Sequence, residues 1–442
     1  MTEHTVGQRR RIVVVGGGFA GFECARRLAR TLVRSGVGDA EVVLVAPDDY
    51  LLYTPLLPEV AGGLLDPRSV AVPLAEALPG VRYVRGLVES VDLDQRCVGL
   101  ADGTELSWDR LVLTPGSVTR VFDIPGLAEH ARGLKTIAEA VYLHDHLLEQ
   151  LEAAVRETDE QRREARRTVV VVGASYAGTE LVSQLRALAD DAAVHGAFAP
   201  TAVRFVLLDV AKQVMPEVGA KLGDRALAVL RKRGIDVRLE TTLKEVTAEQ
   251  VVLSDDTIVP THTVAWVAGV TGCPLVGTLG AELDHGRLVV QPDLSLPGHP
   301  DVFAAGDAAA VPDLTNPGQI TPPTAQHATR QGAALATNVA AGLGVGRSQP
   351  YRHRNLGLVV DLGPRYAVAN PLNVHLSGRP AKVVTRAYHL YALPRGANRL
   401  LVAAGYLADL VMPRALVSLG LVPQARASFA SEHRAAEQGQ HP

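Results

Sequence analysis

Residues 11–32 read RIVVVGGGFAGFECARRLARTL, and the change of pattern at Gly16 decides the fold. The run RIVVV is β-branched and continuously apolar, which predicts a parallel strand buried on both faces. Gly16, Gly18 and Gly21 follow at G-x-G-x-x-G spacing, and FECARRLARTL then reads as a helix. Each glycine has its own steric task. The first permits a tight turn, the second lets a pyrophosphate approach the backbone, and the third lets helix and strand pack closely. The free N–H groups at the start of such a helix favour an anion. Strand, turn and helix in this order predict a dinucleotide-binding unit rather than a glycine-rich structural turn.

The pattern recurs. TVVVV (168–172) precedes GASYAG and then TELVSQLRALA, with Gly173 and Gly178 in the outer positions and Ser175 replacing the middle glycine. The strand VRFVLLD ends in Asp209, placed to accept the 2′- and 3′-hydroxyls of an adenosine ribose and to repel a 2′-phosphate. That favours NADH over NADPH; a solvated strand end is the other reading. In the first unit the matching strand AEVVLV runs into Ala46, so the acid is missing, and Asp48 or Asp49 substitutes or the ribose is held differently. LVLTPGS (111–117), with Thr114 and Gly116, and AWVAGV (265–270), with Gly269, have the form of strand–turn segments that close each nucleotide site. A short strand in DVFAAGDAA (301–309) delivers Asp307 just after Gly306.

The bulk composition agrees with a soluble α/β protein. A chain of 442 residues, 47% apolar, predicts two or three domains. A formal charge of −3 carries no basic excess and gives no reason to expect nucleic acid. Cys24, Cys97 and Cys273 are far apart, match no metal-ligand spacing and suggest a reducing compartment without a disulfide framework. QRRRIVVVGGGFAG has basic residues before an apolar run, but the run is shorter than the roughly 7–15 residues of a signal peptide. No stretch approaches the roughly 20 apolar residues of a membrane span. The expectation is a cytoplasmic protein, with a peripheral place on the cytoplasmic face of the cell membrane left open.

With GGGFAG, YLLYTPLLPEVAGG (50–63), GASYAGTE, VFAAGD and AQHATRQ (325–331) in this order, residues 10 to 405 resemble the two-dinucleotide-binding flavoproteins, most closely the type II NADH:quinone oxidoreductases. The resemblance implies two Rossmann-like domains, FAD in the first, NADH in the second, and electrons delivered to a quinone. It implies that Asp307 hydrogen-bonds the ribityl or phosphate side of FAD. It also implies that the helix opening with Ala325 and Gln326 begins beside the flavin and lines the quinone pocket. Ala325, Gln326 and Ala328 match the family's A-Q-x-A-x-Q, whereas Arg330 stands at the second glutamine position, with Gln331 one place later. Glu180, closing YAGTE, matches a family position near the nicotinamide; a carboxylate placed in the helix's first turn for the dipole is the rival account. Disulfide reductases share the architecture but need two thiols beside the flavin, and YTPLLPEV holds none.

The segment PPTAQHATRQG (322–332) then acquires a reading. A helix N-terminus carries about half a positive charge. Aimed at the pyrimidine edge of the flavin, it favours negative charge there, and Pro322 and Pro323 fit a first turn that needs no N–H. Gln326 is placed to hydrogen-bond a quinone carbonyl, Arg330 to serve a headgroup oxygen, an acid or a phosphate, and His327 to relay a proton near pH 6.5. A solvated polar face is the plain alternative. Tyr50, Pro55 and the leucines up to Gly63 read as walls of the flavin and acceptor pocket, or as core.

The organisation that follows is an FAD domain over 10–120 and 286–345, an NAD(H) domain over 121–285 inserted in it, and a C-terminal domain over 346–442. EQLEAAVRETDEQRREARR (149–167) reads as one solvated helix. LGLVVDLG, RYAVAN and AKVVTRAYHLYALP predict a small sheet-plus-helix unit, and the resemblance implies that such a unit serves dimerisation or acceptor binding. YLADLVMPRALVSLGLVPQ (406–424) reads as an interfacial helix broken at Pro413, or as a helix buried against a partner subunit in a homodimer. The expected activity is NADH dehydrogenation with transfer of two electrons through flavin to a quinone, without proton pumping. Two rivals stand: a soluble reductase for a small naphthoquinone-like metabolite, ferredoxin or another redox protein, and a flavin-bearing binding or signalling protein with slow turnover.

Overall fold

A computed structural model describes residues 9–195, 202–354, 356–412, 414 and 416–429. The run at 11–15 lies in the strand Arg10–Val15, with Ile12, Val13 and Val14 wholly buried. It pairs in parallel with Ala40–Ala46 on one side (Ile12 opposite Val42) and with Arg110–Leu113 on the other (Ile12 opposite Arg110). Arg82–Arg85 extends one edge, and His299–Ala304 with Ser295–Leu296 extends the other, giving six strands. Strands covered on both faces need no polar alternation, which is why the sequence shows none.

A second sheet of five parallel strands runs Ala131–Arg132, Thr263–Trp266, Thr168–Val172, Arg204–Leu208, Ile235–Arg238. All of its strands fall between the two sequence portions of the first sheet. An antiparallel ribbon, Ser117–Thr119 with Val270–Gly272, carries the chain across and back. The fold is α/β with two Rossmann-like units. A three-stranded antiparallel sheet (Val359–Asp361, Ala367–Ala369, Leu376–Gly378) and the helices Arg379–Ala392 and Gly396–Val411 follow, as the sheet-plus-helix reading predicts.

The helix Phe19–Arg34 lies against the helix Ala325–Ala341 so closely that a Cβ on Gly332 would sit 2.3 Å from the carbonyl oxygen of Ala20. No side chain fits there, so this glycine sets the approach of the two helices.

Three expectations need correction. The charged run 149–167 is two helices, Ile137–Arg156 and Glu160–Arg166, because Asp159 accepts from the Arg162 amide (2.9 Å) and starts a new one. Pro322 and Pro323 precede the polar helix instead of occupying its first turn; Thr324 is the N-cap, its hydroxyl accepting from the His327 amide (3.3 Å). The tail is not one helix over 406–424, since Gly396–Val411 ends at Val411 and residues 416–421 are irregular. Pro413 lies outside the described residues. Arg414 and Asp409, the charges within that stretch, turn inward: Arg414 is buried and donates to Gly62 O (2.7 Å) and to Gln184 Oε1 (3.0 Å). Asp409 pairs with Arg386 (2.5 Å). Two charges that satisfy each other's neighbours inside the fold cannot also face lipid.

Candidate functional site

The two glycine turns are built on one plan. Gly16 has φ +101°, and a Cβ there would lie 2.1 Å from Thr114 O; Gly173 has φ +106°, and its Cβ would lie 2.7 Å from Val267 O. A Cβ on Gly21 would sit 2.0 Å from Gly16 O, and one on Gly178 would sit 1.8 Å from Gly173 O. Gly18, by contrast, faces open space, with nothing within 4 Å of an added Cβ. Neither following helix has an acid in its first turn, and Gly18 caps the first with no side-chain bond. The amides at both helix starts are therefore left for an anion, as a dinucleotide pyrophosphate requires. Thr114 ties its turn by donating to Val15 O (2.8 Å). Gly116 and Gly269 lead into the linking ribbon, their carbonyls accepting from the amides of Cys273 (3.1 Å) and Arg120 (3.2 Å).

Asp209 stands just past its strand, Oδ2 accepting from the Ala174 amide (2.5 Å) and Oδ1 from the Ala211 amide (2.7 Å). The carboxylate is thus fixed across the second turn next to half-buried Ser175, with lone pairs left for ribose hydroxyls. The Tyr176 hydroxyl, at the start of that helix, is buried without a partner among the described residues. In the first unit Ala46 is buried and brings no acid to the strand end. Asp48 and Asp49, two and three residues on, are both exposed, and neither carboxylate makes a hydrogen bond among the described residues. Both acids stand free beside the first turn.

Gly306 (φ +72°) and Asp307 lie where the first sheet meets the polar helix. Asp307 accepts from Ser117 (2.7 Å), whose hydroxyl in turn accepts from Lys135 Nζ (2.7 Å). The Gly306 amide donates to Gln331 Oε1 (2.7 Å), and Gln331 Nε2 donates to Thr321 (3.0 Å). Gln331, one place after the family's second glutamine position, is thus the buried amide that ties the polar helix to Gly306, and its place four residues after buried His327 on the same helix face is the signal for it. Cradle, uncapped helix, free Asp48 and this braced Asp307 together fit FAD.

The polar helix starts at Ala325, but its side chains face the C-terminal unit. Gln326 donates to Gly357 O (2.9 Å). Arg330 is not free for a headgroup: it donates to Arg354 O (2.8 Å) and lies 3.4 Å from His353 Nδ1, because the loop after the helix folds back over it. His327 stacks on His353 (3.9 Å between centroids) and meets the Tyr351 hydroxyl (3.1 Å). Burial, with His353 and Arg330 beside it, pulls its pKa down to about 4, so it is neutral at pH 7 and does not relay protons near 6.5. The leucines of 50–63 are core, Leu51, Leu56 and Leu57 being buried, while Tyr50 pairs in a short ladder with Pro73. Tyr53 is the joint. Its ring meets Phe19 edge-on (5.7 Å) and its hydroxyl meets His389 Nδ1 (3.2 Å).

Glu180 is past the first turn of its helix, so the dipole account of it fails. Its carboxylate accepts from the Asp361 amide (2.7 Å), joining the second nucleotide helix to the C-terminal sheet. Burial above all, then the neighbouring Asp361 and Glu59, raise its pKa well above the usual carboxylate range. Asp361 is ion-paired with Lys382, and both are buried. Glu59, an acid within otherwise apolar PLLPEVA, is buried with its carboxyl group against the Tyr406 hydroxyl, the two buried polar groups facing each other. Burial and then Asp361 push Glu59 up to about 8. Between its ordinary pKa and 8 the folded chain holds a proton that the unfolded chain has released, so folding stability falls as pH rises. Glu59→Gln removes that slope. Its stability relative to the parent protein is expected to improve by on the order of a few kcal/mol from pH 5 to 8, read by denaturant titration.

The sequence matches the pyridine nucleotide-disulphide oxidoreductase family over residues 10–332. The chain belongs to that family. It is 33% identical over 404 residues to a type II NADH:quinone oxidoreductase of Mycobacterium tuberculosis, covering 87% of this chain and 84% of the relative. It is 32% identical over 411 residues to a demethylphylloquinone reductase of Synechocystis, covering 90% and 96%. The fold superimposes on NDH2 of Plasmodium falciparum, solved with NADH, at a TM-score of 0.84 and 15% identity, covering 93% of this chain and all of that one. The disulphide chemistry in the family's name has no counterpart here: Cys24, Cys97 and Cys273 are unpaired, and Cys24 is buried, its thiol pushed far up by desolvation. The pyridine nucleotide-disulphide fold is thus present without a neighbouring pair of thiols.

Proposed function

We propose that this chain is an FAD-containing NADH dehydrogenase that passes two electrons to a quinone without pumping protons. The duplicated cradle carries the reading: two glycine turns of the same construction, one set for each dinucleotide, in a chain whose named relatives reduce quinones. Gly16, Gly18, Gly21, Asp48 and Thr114 would hold the adenylate half of FAD. Gly116, Gly306, Asp307 and the amide end at Ala325 would hold its flavin half. Gly173, Ser175, Gly178, Asp209 and Gly269 would hold NADH, with Asp209 opposing a 2′-phosphate. When bound, FAD supplies a two-electron store between hydride donor and quinone.

The side chains position and protonate. Burial favours the protonated form of Glu180, a form able to give a proton to a reduced quinone, and the Tyr53 hydroxyl, which meets His389 Nδ1, lies close enough to feel the charge of Glu180. Gln326 fixes the loop at Gly357 against the helix that opens beside the flavin. Gln326→Ala is expected to lower quinone turnover roughly 5- to 100-fold, the worth of one hydrogen bond to a polar or charging group. Bleaching of the flavin by NADH should keep its rate. A collapse of that bleaching removes the role given to Gln326.

The acceptor reading extends to the tail. Leu407, Leu410, Val411, Met412, Leu419 and Leu421 are exposed, Leu410 at 70% and Leu421 at 69%, which is a strip suited to a lipid surface on the cytoplasmic face of the membrane. No helix among the described residues is long and apolar enough to cross a membrane. The protein should float with liposomes, and Leu410→Glu with Leu421→Glu should stay in the dense fraction. If those changes instead split a dimer while lipid binding is absent, the strip is a subunit contact.

A further inference from the structure

The helix Phe19–Arg34 bears a second feature that no part of the electron-transfer reading uses. On its outer side, against the helix Ala325–Ala341, lies a cleft of about 290 Å³ lined by Arg26, Arg27, Arg30, Arg34, Thr31 and Thr337. Its wall from the second helix is otherwise alanine, which leaves the space open. Only one acid answers the four guanidinium groups: Glu23 takes Arg26 (2.6 Å) and Arg27 (2.5 Å), using both oxygens. Arg30 and Arg34 are exposed and have no acidic partner among the described residues.

Ordinary helix physics does not account for this. A cation complements the dipole only in the last turn, where Arg34 alone stands. Arg26, Arg30 and Arg34 follow one another at i, i+4, i+8, so like charges are stacked along one face and destabilise the helix unless an anion relieves them. The chain as a whole is net negative, −3, so the patch runs against its general charge.

We propose that this cleft is a binding site for a di- or triphosphate group of a small solute. Guanidinium forks match phosphate oxygens in pairs, and several of them converging suit an anion that carries several charges. The volume sits at the lower edge of the roughly 300–1,000 Å³ of small-ligand pockets, which fits a compact polyphosphate and not a larger organic body. Its concave form and its lack of exposed large apolar side chains distinguish it from the apolar tail, where a lipid surface would settle.

The test is titration calorimetry of the FAD-loaded full chain with inorganic pyrophosphate and tripolyphosphate. NAD⁺ is held saturating so that the second glycine turn is filled. One saturable site is expected at moderate salt, weakened about tenfold or more in Arg30→Glu/Arg34→Glu, the effect of losing charge-assisted bonds. Arg30→Lys/Arg34→Lys, which keeps charge but not the forks, should fall between, and NADH:quinone turnover should be unchanged in both. The proposal is overturned if no saturable heat appears, if the charge reversal leaves binding intact, or if acetate at equal ionic strength competes as well as pyrophosphate. It is likewise overturned if phosphatidylglycerol vesicles are held through Arg30 and Arg34 while free pyrophosphate is not.

Discussion

Gly18→Val gives a folded, colourless protein. A Cβ added at Gly18 meets nothing within 4 Å and its φ of −71° suits any residue, so the backbone there tolerates a side chain that points into open space. The space it fills is the one the pyrophosphate needs, directly over the uncapped helix start. Flavin content after purification should fall at least about tenfold, with the binding of FAD to the apoprotein weakened to match. The unfolding transition of the apoprotein should stay where the parent's is. Gly21→Val behaves differently, because its Cβ would sit 2.0 Å from Gly16 O, so strand and helix must part and the domain itself is lost. The two glycines thus separate cofactor binding from folding. A yellow Gly18→Val protein with ordinary flavin content would show that the pyrophosphate lies elsewhere.

The second large effect is expected at Lys382. Its ammonium is buried with Asp361 and also donates to Gly363 O (2.9 Å). Lys382→Met keeps the stem and removes the charge, leaving Asp361 buried near Glu59 and Glu180, two carboxyls already pushed towards neutrality. Breaking one side of such a pair costs about 3–5 kcal/mol, because the remaining charge has no compensation. Lys382→Met with Asp361→Asn should recover much of it, since both charges then leave together. Denaturant unfolding of the parent and the two variants at pH 8 reads this directly. A Lys382→Met protein as stable as the parent at pH 8 would mean that the pair is solvated.

What the sequence discloses and what it hides follow from the range of the interactions. The strands 11–15 and 168–172 and the helices after them were legible because burial on both faces and helical periodicity are local patterns. The glycine spacing was legible for the same reason: each steric task is set by its neighbours along the chain. Asp209 stands at its strand end as the pattern indicates, while the choice between Asp48 and Asp49 has no local signal, both being exposed just past the strand. Glu180 was picked out, but its partner Asp361 is 181 residues away, and no local pattern announces that contact. Arg330 went wrong for the same reason. Its helix position was right, but the loop carrying His353 and Arg354 folds onto it from the far end of the helix. The tail's charges have no local signature of their place, because Arg414 reaches back 230 residues to Gln184. Glu59 does carry a signal, an acid within an apolar run, which is the local mark of the buried network.

The account rests on hydride entering at the second cradle and electrons leaving through a flavin in the first. Anaerobic stopped-flow mixing of the yellow protein with NADH, followed by a panel of quinones, tests it most directly. Rapid bleaching by NADH, much slower with NADPH, and recovery of the colour on adding a quinone are predicted. A flavin that NADH does not bleach, or that bleaches and is reoxidised by no quinone, would contradict it.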